Sequence, residues 1–284
     1  MSKIVIKEAQ GTAQHYIEDL GNGIELEMVL IPQGAFTMGA PEDEEGSEDN
    51  ERPQHQVTVP RFFMGRYQVT QAQWRVVASF EKVNRDLISE PSHFKGDDLP
   101  VEQISWYDAV EFCVRLSRFA RLSKHTNRNY RLPREAEWEY ACRAGTTTPF
   151  HFGETIATDL ANYNGTDDQD GKWSGSYGRG PNGINREQTT PVGSFDAGNN
   201  FGLSDMHGNV WEWCVDDWHS NYQGAPTDGS AWLESDNNSR FRILRGGSWL
   251  YNSILCRSAN RLFNSPDLSD RTFGLRVVCD VVRN

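Results

Sequence analysis

Residues 208–212, GNVWE, carry oxygen ligands of the types that calcium binds. Calcium takes roughly six to eight oxygens from carboxylates, side-chain amides and backbone carbonyls. Asn209 and Glu212 can supply side-chain oxygens, and Val210, with Gly208 as a further candidate, can supply a backbone carbonyl. The alternative is that Asn209 and Glu212 only bind backbone amides of their loop. The residues of this segment therefore leave two alternatives, a calcium site and a purely structural loop.

The cysteines and histidines lack the spacing of a zinc site or a disulfide framework. The five cysteines are far apart, with no CxxC pair, and the seven histidines form neither HxxxH nor HExxH. We therefore expect no disulfide framework, no four-cysteine zinc site and no helix-borne zinc site. Cys113 falls on the apolar stripe of a predicted helix, so we expect a core thiol there. Cys256 has no histidine beside it in the sequence, which favours a buried thiol over a nucleophile.

Three helices are predicted in the first half of the chain. Thr70 and Gln73 form a capping box, which predicts that a helix follows through Trp74 to about Ser79. Residues 106–122 place their apolar side chains on one stripe, and Ser105 precedes them as the expected N-cap. A third helix is predicted over residues 133–143, because proline is preorganised for a first helical turn.

Short strands and long loops are predicted around these helices. The apolar residues of 24–31 alternate with acids, which indicates a half-buried strand, and residues 35–38 and 56–59 are typical of two more. Residues 41–51 contain seven acids and predict a solvated, mobile loop. Residues 146–242 are rich in Asn, Asp, Gly, Ser and Thr, and a bound metal is one candidate for holding so long an irregular segment. The tail, 273–282, is predicted to be a terminal strand.

Several segments together resemble one known family, the formylglycine-generating enzymes or sulfatase-modifying factors. The resemblance covers about residues 24–282. The segments that carry it are 31–39, 100–106 (PVEQISW), 131–141 (RLPREAEWEYA), 205–213 (DMHGNVWEW), 245–249 (RGGSW), 256–257 (CR) and 274–277 (GLRV).

This resemblance implies a fold and favours the calcium alternative. The implied fold is α+β, an elaboration of the C-type lectin fold that is loop-rich, with short strands and a few helices. We expect one such domain over residues 24–284 after an N-terminal extension, 1–23. The resemblance implies bound calcium at Gly208, Asn209, Val210 and Glu212. It also implies a possible second calcium site at Asn162 and Tyr163, next to an unusual Asp/Gly-rich insertion.

The oxidases of the family bind Cu(I) between two cysteine thiolates five positions apart, according to the same resemblance. Here Cys256 occupies the second of those positions and Tyr251 the first. Soft thiolates suit Cu(I), and a hard phenol does not replace one. We therefore expect no copper and no catalysis, and Cys256 would be catalytic only if the oxidase alternative held. The related branch that uses iron needs a three-histidine cluster, which this sequence lacks.

The segment 245–278 also resembles the variable region of proteins diversified by retroelements. Mutating the adenines of AAC codons yields NNC codons, which cannot encode Lys, Glu, Gln, Met or Trp. None of these five types occurs at the sixteen candidate ligand-binding positions. Those positions are Leu250, Tyr251, Asn252, Ser253, Ile254, Leu255, Leu262, Phe263, Asn264, Ser265, Leu268, Ser269, Asp270, Arg271, Thr272 and Phe273.

The apolar residues among these positions follow neither a 2-residue nor a 3.6-residue period. Packing against the core on one buried face therefore explains these apolar residues poorly. We expect most of them to lie on one contiguous accessible face, with about a third of the side chains packed inward. The predicted function is a ligand-binding protein with a diversified surface on a calcium-supported fold. Its partner would be a protein or another macromolecule. The alternatives are a copper- and oxygen-dependent oxidase of sulfatase cysteines and a non-catalytic partner domain.

Charge and hydropathy exclude two classes of partner. The net charge of −12, from 28 basic and 40 acidic residues, opposes binding to phosphate backbones, so we expect no nucleic-acid ligand. The apolar runs are short, as at residues 28–31, and none approaches the roughly 20 apolar residues of a membrane span. Because MSKIVIKEAQ contains no apolar signal core, we expect a cytoplasmic protein.

Overall fold

The computed structural model describes residues 11–170, 173–234 and 240–281, in which three helices and eleven strands form an α+β fold. The helices are α1 (Gln71–Ala78), α2 (Trp106–Ser123) and α3 (Glu135–Arg143). The strands are β1 (His15–Gly21), β2 (Ile24–Ile31), β3 (Gly34–Met38), β4 (His55–Val59), β5 (Phe62–Gly65), β6 (Tyr130–Arg131), β7 (Trp211–Asp217), β8 (Arg242–Arg245), β9 (Leu262–Asn264), β10 (Phe273–Gly274) and β11 (Val278–Asp280).

The strands form three small sheets. One has the order β1-β2-β5-β11-β6, the second β10-β7-β8-β9, and β3 pairs with β4. Only the β10–β7 pair is parallel among the described residues; the other pairs are antiparallel. The first sheet begins at residue 15, within the stretch assigned to an N-terminal extension, because Tyr16 and its neighbours pair with β2. Residues 1–10 of that extension and residues 282–284 lie outside the described part of the chain.

The predicted helix starts are confirmed for α1 and α2 and corrected for α3. The side chain of Thr70 accepts from Gln73 N, and Ser105 caps α2 in the same way. The third helix begins at Glu135 rather than Pro133. The carboxylate of Glu137 accepts from Arg134 N at 2.9 Å, which makes Arg134 the N-cap.

The C-terminal segment is two short strands, not the single strand that its apolar pattern predicts. Phe273 and Gly274 pair with β7, whereas β11 pairs with β5 and β6 in the other sheet. The chain changes sheets between them, where Val69 N donates to Leu275 O and Gly65 N donates to Val277 O. A run of apolar residues does not reveal such a crossing, because both of its ends are buried.

The irregular region after α3 is held by side chains. Phe150, Ile156, Tyr163 and Tyr177 form a buried cluster of their own around Cys256. Each loop that packs on this cluster gains buried apolar area without needing regular backbone structure. In the residues that the structure describes, no three carboxylate, histidine or cysteine side chains are grouped so that they could hold a metal ion.

The acidic loop, residues 41–51, is exposed at five of its seven acids, as its composition predicts, but the other two are buried. Glu44 and Glu51 are buried and bind the guanidinium of Arg257, at 2.6 Å and 2.7 Å. The hydroxyl of Tyr177 donates to Glu45 O at 2.8 Å. Two of the seven acids therefore anchor the loop to the C-terminal segment, a pairing that sequence spacing does not indicate.

Candidate functional site

Three fully buried arginines hold the C-terminal segment that carries the candidate binding positions. Each side chain has no measurable exposure and pairs with a buried glutamate. The pairs are Arg245 with Glu139, Arg257 with Glu51, and Arg276 with Glu212. Removing one partner of a buried ion pair leaves an uncompensated charge, which costs roughly 3–5 kcal/mol. These residues therefore form a rigid scaffold between the candidate positions.

The sixteen candidate positions divide into three groups by exposure. The exposed ones are Tyr251, Phe263, Leu268, Ser269 and Arg271. The half-buried ones are Leu250, Asn252, Ile254, Leu255, Leu262, Asn264, Ser265 and Asp270. The buried ones are Ser253, Thr272 and Phe273. The assignment of those last three to a ligand-contacting surface is corrected: Phe273, for example, forms β10 beside Trp211 and packs in the main core.

The structure also corrects the expectation of one contiguous face. Leu262 and Phe263 are successive residues of β9, so their side chains project to opposite sides of the sheet. Leu262 packs against the core cluster that contains Trp213, whereas the ring of Phe263 lies 4.2 Å from that of Trp218 on the other side. Phe263 therefore belongs to a separate aromatic patch with Phe241, whose ring centre is 5.0 Å away.

Around Tyr251, the structure brings two of the candidate segments together. Trp249 Nε1 donates to Arg271 O at 3.1 Å, and the Arg271 guanidinium lies 5.1 Å from the Trp249 ring centre. Burial and the nearby negative charge of Asp270 raise the pKa of Tyr251. Arg271 therefore lies against Trp249 and Asp270 lies near Tyr251, so residues 249–251 and 270–271 adjoin, and the Tyr251 ring lies 6.2 Å from that of Trp211.

Glu102, close to these residues, is a buried carboxylate that the sequence did not single out. Its side chain is fully buried, and its Oε1 accepts from Phe94 N at 2.9 Å. Gln103 N in turn donates to Asp270 O. Burial raises the pKa of Glu102 to about 7, against the opposing effect of its backbone hydrogen bonds. The only available sequence signal was its place in the family-like segment PVEQISW.

Cys256 lies in an apolar enclosure and is protonated at neutral pH. Its side chain is fully buried, and burial raises the pKa of the thiol to about 12. A side chain at Gly247, which has φ near +81°, would collide with the sulfur. The nucleophilic form of cysteine is the thiolate, so this environment opposes reactivity.

His207 contacts the backbone of Cys256, although no histidine adjoins that cysteine in the sequence. The ring donates through Nδ1 to Cys256 O at 2.7 Å, and Nε2 accepts from His151 N at 3.1 Å. Burial lowers the pKa of His207 to about 4, so the ring is neutral. Both nitrogens are engaged by backbone groups, and the Sγ of Cys142 lies 3.7 Å from Nε2. His207 therefore orders the loops and does not activate the Cys256 thiol.

Of the predicted calcium ligands, Asn209 lies apart, whereas oxygens of Gly208, Val210 and Glu212 converge on one point, at the Nε2 of Gln68. Glu212 binds Arg276 with both carboxylate oxygens, at 2.8–3.1 Å, and also accepts from Trp138 Nε1 at 2.7 Å. The amide of Asn209 faces the other way, where its Oδ1 accepts from Thr190 N at 3.0 Å. The Asn209 side chain thus binds the backbone of a neighbouring loop segment, as in the alternative interpretation of this residue.

At the second predicted calcium site, Asn162 Oδ1, the side-chain oxygen that would bind the ion, is buried and has no hydrogen-bond partner among the described residues. Asn162 is buried, and its Nδ2 donates to Asn209 Oδ1 at 3.2 Å and to Gln188 O at 2.9 Å. Tyr163 is buried in the aromatic cluster, with its hydroxyl donating to Ile156 O at 3.3 Å. Gly208, at φ near +95°, allows the Asn162 carbonyl to pass where a Cβ would collide. These contacts join two loops through amides and carbonyls, with no carboxylate among them.

Gln68, which precedes α1, occupies the position towards which the oxygens of residues 205–212 point. Its Nε2 lies 3.3 Å from Asp205 O, 3.2 Å from Gly208 O and 3.0 Å from Val210 O. The Oε1 of Glu212 is 3.1 Å away. Sequence reasoning missed Gln68 because it is 144 positions from Glu212. Calcium does not fit the residues as they stand, since an amide nitrogen holds the shared position.

Comparison with known proteins identifies relatives along nearly the whole chain. The family model of the sulfatase-modifying factor enzyme 1-like domain matches residues 18–281. The formylglycine-generating enzyme of Mus musculus is 28% identical over 89% of this chain and 75% of its own length. The structure of PvdO from Pseudomonas aeruginosa is 32% identical, with a TM-score of 0.73 over 94% of this chain and 98% of its own.

A further solved structure shares the fold at lower identity. Treponema denticola variable protein 1 has a TM-score of 0.70 and 23% identity, over 96% of this chain and 100% of its own. The expected α+β, loop-rich architecture is thereby confirmed. Within the described residues, no helix is long and apolar enough to cross a membrane.

Proposed function

The chain belongs to the sulfatase-modifying factor enzyme 1-like family, and we propose that within it the chain is a ligand-binding protein with a diversified surface. The surface consists of the accessible positions of residues 250–255, 262–265 and 268–271. One observation carries the proposal. Exposed side chains such as Tyr251 and Leu268 lie in the same segment as fully buried ones such as Arg257, so the most exposed positions are distinct from the scaffold residues, with half-buried positions between these extremes.

This separation is what a diversified site requires. Substitutions at exposed positions away from special features usually change stability by less than about 0.5 kcal/mol, whereas changes in a core cost several kcal/mol. A binding surface can therefore vary only where its side chains do not support the fold. Here the supporting contacts come from Arg245, Trp249, Arg257 and Arg276, which are all buried.

The contact chemistry favours a macromolecular ligand. Aromatic and arginine side chains dominate protein-binding hot spots, and the accessible positions include Tyr251, Phe263 and Arg271. Tyr251 and Phe263 lie in separate patches, so a ligand that contacts both has to span more than one side of the second sheet. The name of the Treponema variable protein agrees with this proposal, but at 23% identity that comparison concerns the fold alone.

A pair of libraries tests the proposal. One library randomises Tyr251, Phe263, Leu268, Ser269 and Arg271 with NNC codons. The matched library randomises five buried positions of the same segment: Ser253, Cys256, Ser258, Thr272 and Phe273. We expect the first library to yield mostly folded, protease-resistant members and the second very few, because only the second disrupts the core. Similar folded fractions in the two libraries would refute a scaffold that separates surface from core.

The origin of the diversity has its own test in the neighbouring DNA. A reverse transcriptase gene and a template repeat that differs from codons 250–273 only at adenine positions would support diversification by a retroelement. A locus without a template repeat would leave a fixed partner domain of the family as the better interpretation.

The oxidase alternative finds no support in the geometry around Cys256. Its thiol is buried and protonated, and the residue five positions earlier is Tyr251, whose phenol is a poor ligand for Cu(I). All five cysteines are free and buried, which supports our further proposal that the protein works in a reducing compartment such as the cytoplasm.

A further inference from the structure

We infer that the Gln68 amide replaces a cation at the centre of the 205–212 loop, and that this loop is ordered without calcium. Three backbone carbonyls and one carboxylate oxygen lie within 3.0–3.3 Å of a single atom, Nε2 of Gln68. Such a convergence of oxygens is typical of a cation site. In this chain a neutral side chain occupies it.

The hydrogen-bond count shows that the arrangement is crowded. An amide nitrogen has two hydrogens, and here it faces four acceptors. The other end of the same side chain, Oε1, is buried and has no hydrogen-bond partner in the described part of the chain. Gln68 therefore satisfies the oxygens of the loop as far as one amide can, while its own oxygen remains unsatisfied.

The charges favour the amide over a divalent ion. Glu212 provides the one carboxylate oxygen at this position, and its charge is already balanced by Arg276, which is fully buried. The carboxylate of Asp205 points elsewhere and accepts from Gly193 N at 2.6 Å. The Asp205 carboxylate still interacts with Glu212 and Arg276, so the site carries two negative charges and one positive charge, and a calcium ion would leave it with a net charge of +1, which is costly in a buried site. A neutral donor adds no charge.

Gln68 also links distant parts of the chain. It lies between β5 and α1, whereas Asp205, Gly208 and Val210 lie in the irregular region and Glu212 lies in β7. A metal ion in a structural site performs the same task by binding ligands from separate loops. The amide performs it at any calcium concentration.

The test is to restore the missing charge with Gln68→Glu. This change turns the nitrogen into an oxygen and places a second carboxylate beside Glu212, so the oxygens become a calcium site. Without metal, repulsion between the two buried carboxylates should lower the melting temperature. A hundredfold excess of calcium over its Kd should then raise it by roughly 4–5 °C. The melting temperature of the wild type should not respond to calcium.

Gln71→Glu is the matched control. Gln71 is also a buried amide, and it donates to two carbonyls, Phe94 O and Pro100 O, away from any carboxylate partner. The same substitution there should destabilise the protein without any rescue by calcium. Equal rescue of both variants would overturn the inference, because the effect would then not depend on the 205–212 loop. A folded Gln68→Glu protein that takes up no calcium would overturn it as well.

Terbium luminescence gives a readout that does not depend on the stability of the variant. The Trp138 indole donates to Glu212, so a lanthanide bound among these oxygens would lie close enough to be sensitised by tryptophan excitation. We expect calcium-displaceable emission from Gln68→Glu, refolded in calcium if necessary, and none from the wild type. Wild-type emission as strong as that of the variant would overturn the inference, because a cation would then already bind beside Glu212.

Discussion

Replacing Trp249 and Tyr251 separately with serine should distinguish scaffold from surface within three residues of one loop. Trp249 is 3% exposed, and its indole donates to Arg271 O; Tyr251 is 36% exposed. Truncating a buried tryptophan costs roughly 3–5 kcal/mol, and the lost hydrogen bond adds about 1 kcal/mol. Complete burial of an aromatic ring of this size contributes roughly 2–3 kcal/mol, so the two-thirds covered Tyr251 should contribute about 1–2 kcal/mol.

Urea denaturation provides the measurement. Both variants should keep the wild-type dependence of unfolding free energy on urea concentration, while their midpoints move by different amounts. Leu268→Ser is the control for a surface position, because Leu268 is 43% exposed and its loss should cost about 1 kcal/mol. A difference of less than about 1 kcal/mol between the Trp249 and Tyr251 variants would refute the separation of surface from scaffold.

Four further predictions concern charge and reactivity. The pKa of Glu102 is raised to about 7, so the folded protein holds this proton more tightly than the unfolded chain does. The free energy of unfolding should therefore fall as the pH rises from about 4.5 to 7. Thermal melts at a series of pH values should show a weaker decline for Glu102→Gln. Cys256 should resist alkylation in the native protein and react after unfolding, as mass spectrometry would show; rapid native labelling would contradict its burial. A sulfatase-type cysteine peptide incubated with Cu(I) and oxygen should keep its mass, and formylglycine formation that depends on Cys256 would reverse our ranking of functions. Arg257→Met should cost roughly 3–5 kcal/mol by leaving Glu44 and Glu51 buried without a counterion, and adding Glu51→Gln should recover part of that loss.

Local patterns in the sequence predicted the local structure well. The capping residues Thr70 and Ser105 are where hydrogen-bonding chemistry requires them, because a cap involves residues only three positions apart. The alternating apolar residues of β2 and the stripe of α2 are likewise short-range signals. The start of α3 was missed by two residues, because a glutamate at its third position outweighed the preference of proline for a first turn.

The parts that the sequence did not predict depend on partners far along the chain. Arg257 is more than 200 positions from Glu51, and Gln68 is 144 positions from Glu212. Spacing within a motif indicates which residues face the same way, but it does not indicate which distant side chain fills the space between them. The burial of Glu44 and Glu51 was missed for this reason, and so was the contact between Gln68 and the predicted calcium ligands.

The proposed binding surface and the Gln68 position differ in which substitutions they tolerate, and this difference follows from their burial. An exposed residue such as Leu268 can change because water replaces its lost contacts. Gln68 has no such freedom, since four oxygens and one buried counterion pair surround its amide. Glutamate has nearly the same shape as glutamine but carries a negative charge. Gln68→Glu therefore tests the effect of charge with little change in packing. If Gln68→Glu binds calcium and the wild type does not, a single amide nitrogen in place of an oxygen decides whether this loop depends on metal.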